Sequence, residues 1–147
     1  MTPTRTVLFV CLHGSAKSVI AMEYFRRLAR QRGLDLEVAT AGLEPDTEIP
    51  PRVVQGLLGD GIDVRGRRPR QLTRAELAKA TRVVSFGCEL GGLAPEGLAV
   101  ERWDDVPAVS EDFQKARDAI VACLPRLLEA TAPRPLLGRG LSPSDQP

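Results

Sequence analysis

Residues 6–10, Thr-Val-Leu-Phe-Val, are apolar almost without a break and are β-branched or aromatic. That pattern predicts a short strand covered on both faces of a parallel sheet. From residue 17 to 32 the spacing becomes helical. Ile20, Ala21, Tyr24, Phe25 and Leu28 share one side, Arg26, Arg27 and Arg30 take the other, and Gly33 ends the run. Residues 36–41 read as a second strand, which completes a βαβ unit of right-handed crossover. A helix over 51–58 opens with proline in its first turn and breaks at Gly59-Asp60-Gly61. Thr73, three residues before Glu76, is the capping-box pattern that starts a short helix. Residues 82–86 predict a third strand and 98–102 a fourth, at an edge. The last helix covers 111–129, with Phe113, Ala116, Ile120, Leu124 and Leu127 as its buried stripe. Beyond Ala130 the chain turns to Pro, Gly, Ser and Arg. The expectation is therefore a folded domain over residues 1–130 and a frayed, flexible C-terminal tail over 131–147. There are no internal repeats.

Strands alternating with helices predict an α/β protein with a parallel sheet. In such sheets ligands sit beyond the carboxyl ends of the strands, and Cys11 stands at such an end. Composition narrows the picture without changing it. A chain of 147 residues makes one ordinary domain with a real core. A formal net charge of +1 gives no global field for nucleic acid or an anionic membrane. No stretch reaches the length of a membrane-spanning helix, and no secretory signal is recognisable, so the expected location is cytoplasmic. Three cysteines, odd in number and far apart, with a single histidine, fit neither a disulfide scaffold nor a structural zinc site. No metal and no cofactor are expected. A reactive thiol is allowed.

The chemistry concentrates in Cys11-Leu12-His13-Gly14-Ser15-Ala16-Lys17-Ser18. The loop after Cys11 leads into a helix, so its last N–H groups are unpaired donors at the positive end of a helix dipole. Curled around one point, Leu12, His13, Gly14, Ser15, Ala16, Lys17 and Ser18 make an anion-binding nest. The small residues let the backbone approach a tetrahedral ligand. The same donors and Lys17 favour the thiolate of Cys11, and Ser18 can donate to its sulfur. A thiolate beneath a bound phosphoryl group is a nucleophile for in-line displacement. The plainer reading is a buried structural cysteine before an ordinary loop. A nucleotide-binding P-loop is excluded, because the two glycine positions it requires hold Ala16 and Cys11.

With these residues in place, the sequence resembles the superfamily of low-molecular-weight protein tyrosine phosphatases and thioredoxin-coupled arsenate reductases. The likeness runs through Val7-Leu8-Phe9-Val10-Cys11, Thr40-Ala41-Gly42-Leu43-Glu44-Pro45, Gly61-Ile62-Asp63-Val64 with Arg68-Pro69-Arg70-Gln71-Leu72, Val83-Val84-Ser85-Phe86-Gly87-Cys88, and Trp103-Asp104-Asp105-Val106-Pro107. It implies a flavodoxin-like three-layer sandwich, with a four-stranded parallel sheet of order 2-1-3-4 flanked by helices. It also implies Cys11 as nucleophile, and a site for phosphate, sulfate, arsenate or a phosphoprotein.

The departures bear on activity. The family's loop arginine is Lys17 here, a point charge instead of a bidentate fork. Its loop asparagine is Gly14, which cannot contribute side-chain hydrogen bonds. Aligned on the acidic pair, the general acid is Asp105, with Asp104 second. Aligned on Val106-Pro107, the acid position falls on Ala108-Val109 and is lost. On the arsenate reductase side Cys88 corresponds to a resolving thiol, but the next thiol position holds Ala94, and Cys123 reads as core. His13 either points to solvent or borders the pocket. Trp103 either meets a substrate or anchors the edge strand, and the arginines of residues 65–74 read as solvated surface.

The expected function is phosphomonoester hydrolysis through a cysteinyl-phosphate intermediate, carried by Cys11, Lys17, Ser18 and Asp105 and weakened by Lys17. The alternatives are a non-catalytic phosphate or phosphoresidue binder, and an arsenate reductase-like oxidoreductase with an incomplete thiol relay through Cys88.

Overall fold

A computed structural model of the chain describes residues 5–131. Four strands, β1 (Arg5–Cys11), β2 (Leu36–Gly42), β3 (Arg82–Ser85) and β4 (Val100–Arg102), form one all-parallel sheet of order β2-β1-β3-β4. The helices are α1 (Lys17–Gln31), α2 (Pro51–Gly59), α3 (Arg74–Lys79) and α4 (Phe113–Thr131). This is the expected flavodoxin-like arrangement. The central position of β1 explains its nearly continuous apolar run: Val7, Leu8, Phe9 and Val10 are each 2% exposed or less.

Alternate residues of β1 feed two separate cores. Val7, Phe9 and Cys11 join the larger one, built with α1, α2 and α4. Leu8 and Val10 join a smaller one with Leu72, Leu77 and Leu90. Within the larger core Phe9 meets Phe25 edge-on, with ring centroids 5.7 Å apart, and lies 6.3 Å from Phe86. The stripe on α1 is buried at Ile20, Ala21 and Phe25, and the stripe on α4 at Ala116, Ile120, Leu124 and Leu127. Truncation of a fully buried phenylalanine such as Phe25 costs about 3–5 kcal/mol.

Element ends differ slightly from expectation. Helix α1 stops at Gln31, and Gly33, at φ +67, carries the chain out of it. Strand β2 runs one residue further, to Gly42, because the last pairing of β1 joins Cys11 to Gly42. Strand β4 has three residues rather than five, since Leu98 closes a turn on Pro95 before pairing begins. Thr73 caps α3 as its sequence indicates, its Oγ1 accepting the Glu76 N–H at 3.1 Å. The Glu76 carboxylate pairs with Arg70. Helix α4 starts at Phe113, two residues later than expected, and continues to Thr131, past the expected limit of the domain. The remainder of the expected tail, residues 132–147, lies outside the described residues. Much of the basic stretch is ion-paired: Arg65 with Asp63, Arg67 and Arg26 with Glu23, Arg70 with Glu76. No described helix is long and apolar enough to cross a membrane.

Candidate functional site

The site begins where β1 runs out. Cys11 is the last residue of the strand, between β2 and β3, and residues 12–16 turn back into α1. Gly14 makes that turn at φ +60, a conformation that favours glycine. It also sits against Gly42: a Cβ on Gly14 would stand 2.7 Å from the Gly42 nitrogen, and one on Gly42 would stand 2.6 Å from the Gly14 nitrogen. Loop and strand end thus meet through bare backbone.

The segment after β2 fastens the rest of the loop. Glu44 N–H donates to the Leu12 carbonyl at 2.8 Å, and Asp46 N–H to the His13 carbonyl at 3.2 Å. Side chains add two further ties: His13 Nδ1 lies 3.0 Å from the Glu44 carbonyl oxygen, and Ser15 Oγ donates to Asp46 Oδ2 at 2.8 Å. These bonds do the holding that Gly14 cannot do with a side chain.

Above this frame opens a cavity of about 440 Å³. Cys11 lines it while only 9% exposed, which places the sulfur deep in the concavity. Ser18, fully buried, has its Oγ 3.1 Å from the Cys11 sulfur and is the natural donor to a thiolate. Leu12, His13, Ser15, Ala16 and Lys17 line the cavity. Gly14 supports them from behind and does not line it. Ala16 occupies the N-cap position of α1 without a side-chain cap, and the first turn carries no acidic residue. The leading N–H groups of α1 therefore have no side-chain acceptor at the cap, and Lys17, the first residue of the helix, lines the cavity. The facing wall is apolar, from Pro50, Val53, Phe86, Ala108 and Val109.

Two charged wall residues escape sequence reasoning. Arg52, in the first turn of α2, adds a second cation, and Asp46 is the one carboxylate among the lining residues. Asp46 follows the Thr40–Pro45 segment directly. Nothing in its own neighbourhood marks it, because its role appears only when that segment folds back onto the loop.

The expected acid is placed differently. Trp103, Val106 and Val109 are buried anchors of the 103–110 loop, and they settle which residues face inward. Ala108, Val109 and Ser110 reach the cavity. Asp105 is exposed and outside the lining, and Asp104 pairs with Arg102 at 3.3 Å. Asp105 is not among the residues that share the cavity with Cys11, whereas Ala108 and Val109 are.

Cys88 belongs to the other core. Its sulfur lies 3.2 Å from Ser85 Oγ and 3.9 Å from the Val10 carbonyl, and it packs against the smaller core, while Cys11 belongs to the larger one. Cys123 is half-buried, its thiol directed at the Ala119 carbonyl. Among the described residues no cluster of three His, Cys, Asp or Glu side chains is arranged to hold a metal.

A parallel sheet that ends its first strand in a buried thiol, at a loop leading into a helix start with no side-chain cap, defines an α/β protein with a cysteine-headed loop. Residues 6–102 match the family described as low molecular weight phosphotyrosine protein phosphatase, and the chain belongs to that family. It is 28% identical over 112 residues to a putative arsenate reductase of Halobacterium salinarum, spanning 75% of this chain and 79% of that protein. Its fold is similar to that of YfkJ from Bacillus subtilis, with a TM-score of 0.77 and 22% identity over 88% of this chain and 95% of the other. It is similar also to a thioredoxin-dependent arsenate reductase of Corynebacterium glutamicum, with a TM-score of 0.72 and 26% identity over 88% of this chain and 62% of that one.

Proposed function

We propose that the protein hydrolyses phosphate monoesters through a cysteinyl-phosphate intermediate, slowly for its family. One observation carries this reading: the Cys11 sulfur lies in a cavity, bonded to Ser18 Oγ at 3.1 Å, beneath a helix start left uncapped. The phosphoryl oxygens sit on the N–H groups of residues 12–18 and on the Lys17 ammonium, with the Arg52 guanidinium at the facing wall. The Cys11 thiolate attacks phosphorus opposite the ester oxygen, the P–O bond breaks, and Ser18 steadies the thiolate as it leaves later. Water then attacks the thiophosphate and releases phosphate. The apolar wall suits an ester whose organic part is flat and hydrophobic, hence an aryl phosphate as probe.

Lys17 sets the rate. An ammonium places one point charge where a guanidinium would clamp two equatorial oxygens, so preorganised stabilisation of the transition state is weaker. The expected result is that Lys17→Arg raises kcat/KM for an aryl phosphate by at least about tenfold, while Cys11→Ser abolishes turnover. Failure of either change to act in that direction overturns the assignment.

A second reading is favoured by Ala108 and Val109 standing where an acid was sought: a phosphate or phosphoresidue binder without turnover. Calorimetric titration with phosphate decides between them, since binding without Cys11-dependent hydrolysis supports the binder alone.

A further inference from the structure

We propose that His13 is the proton donor of this site, with Asp46 and Ser15 as the groups that position it. The proposal rests on the phosphatase reading and supplies what that reading lacks. Neither Asp104 nor Asp105 lines the cavity, and among the lining residues only His13, Asp46, Lys17, Arg52 and Cys11 carry titratable side chains. In the phosphatase reading Lys17 and Arg52 are the cations on the phosphoryl oxygens, and Cys11 is the nucleophile. The choice lies between His13 and Asp46.

Hydrogen bonding separates the two. Asp46 Oδ2 accepts from Ser15 Oγ at 2.8 Å, and Oδ1 faces His13 Nδ1 at 3.6 Å. Both Asp46 oxygens are thus turned to loop side chains, Oδ2 to Ser15 and Oδ1 toward the His13 ring. His13 Nδ1 lies 3.0 Å from the Glu44 carbonyl oxygen, which can only accept. Nδ1 therefore keeps its hydrogen in either charge state, and the exchangeable proton belongs to Nε2. Among the described residues nothing pairs with Nε2. An imidazole is also the side chain whose charge changes in the neutral range. Asp46, Lys17 from α1 and Arg52 from α2 are the charged residues that line the cavity with the ring. Glu44 presents its carbonyl to the ring and leaves its own side chain exposed. His13 is half-exposed at the rim, with Cys11 buried below it. A donor to a leaving group must stand on that side of phosphorus, away from the attacking sulfur.

The step balances. As the sulfur–phosphorus bond forms, the bond from phosphorus to the ester oxygen breaks. Its electron pair stays on that oxygen, which takes the proton from Nε2. Neutral His13 then removes a proton from the attacking water, the new P–O bond forms, and the S–P electron pair returns to Cys11. The net change is ester plus water to alcohol plus phosphate.

The test compares two esters, 4-nitrophenyl phosphate with a good leaving group and phenyl phosphate with a poor one. His13→Asn keeps an N–H donor for the Glu44 carbonyl but has no proton to transfer. It should lower kcat/KM for phenyl phosphate about 100-fold and for the nitrophenyl ester far less, and it should remove the alkaline fall of the pH–rate profile. Asp46→Asn, which keeps an acceptor for Ser15 without the charge, should lower kcat/KM for phenyl phosphate more than for the nitrophenyl ester. Equal losses on the two esters, with the alkaline limb unchanged, overturn the role of His13 and leave the phosphatase reading standing. Absence of Cys11-dependent turnover by the native protein with either ester overturns both.

Discussion

Gly42 shows how a residue with no side chain can govern a site. Its φ is unexceptional and it lies at the end of a strand, yet a single added carbon would stand 2.6 Å from the Gly14 nitrogen and 2.7 Å from the His13 carbonyl carbon. Backbone cannot move aside as a flexible side chain can, so the anion loop itself has to shift. Gly42→Ala should therefore cost about 1–3 kcal/mol of stability, measured by urea unfolding. It should weaken phosphate binding by at least about tenfold through the misplaced amides, measured by calorimetry. A variant that lost stability but kept its phosphate affinity would show that the loop relaxes independently of β2. Such dependence was only partly legible in the sequence. The Thr40–Pro45 segment could be matched by its letters, but the reason for its glycine is a contact across 28 positions of chain. The same holds for Asp46, whose partner Ser15 is 31 positions away.

At the level of elements, one polar cluster joins three helices. Asp60, the residue after α2, accepts from Tyr24 on α1 and from Arg117 on α4 at 2.9 Å, while Arg27 on α1 donates to its carbonyl at 3.0 Å. Burial pushes the Tyr24 phenol up, its hydrogen bond to Asp60 and that residue's charge add to the effect, and it reaches about 12. Burial alone would also raise the Asp60 carboxyl, but bonds from Tyr24 and Arg117 with the charges of Arg117 and Arg27 outweigh it and hold the carboxyl below its ordinary range. The signs follow. The Asp60 contribution is present above the usual carboxylate range and is lost as pH falls through its lowered value. The Tyr24 contribution is present below the ordinary phenol value and is lost as pH rises toward 12. Asp60→Asn should destabilise the fold at neutral pH by about 1–3 kcal/mol, and the difference should shrink in acid. Tyr24 is the one tyrosine of the chain, so its tyrosinate absorbance can be followed directly. In Asp60→Asn the midpoint should fall from about 12 toward the ordinary value; an unmoved midpoint would mean that burial alone sets it.

Element type was readable because β1, α1 and α4 have strong, unmixed periodicity. Ends were less so, since pairing decides them: β2 lengthens to meet Cys11, and β4 shortens where the Pro95 turn intervenes. Loop direction was the least legible. The 103–110 stretch offers two aspartates to composition, and only burial of Trp103, Val106 and Val109 turns Ala108 and Val109 to the cavity instead.

Across the whole molecule, the sheet acts as a partition. Cys11 belongs to the larger core and Cys88 packs on the smaller, its sulfur turned to Ser85 Oγ and the Val10 carbonyl. Peroxide should accordingly convert Cys11 to a sulfenic acid, with no Cys11–Cys88 disulfide while the native fold persists, and thioredoxin-supported arsenite production should be absent. Mass mapping of the oxidised protein checks the first outcome and an arsenite assay the second. A disulfide recovered from folded protein would favour the oxidoreductase reading.

The aromatic core reaches the same partition from within. Trp103, the only indole in the chain, stands edge-on to Phe86 at 5.6 Å and 6.2 Å from Phe9, and Phe86 is itself part of the cavity wall. The molecule thereby carries a built-in optical gauge: whatever fills the hollow presses on a ring that adjoins its sole strong fluorophore, so occupancy can be followed by emission without attaching a label.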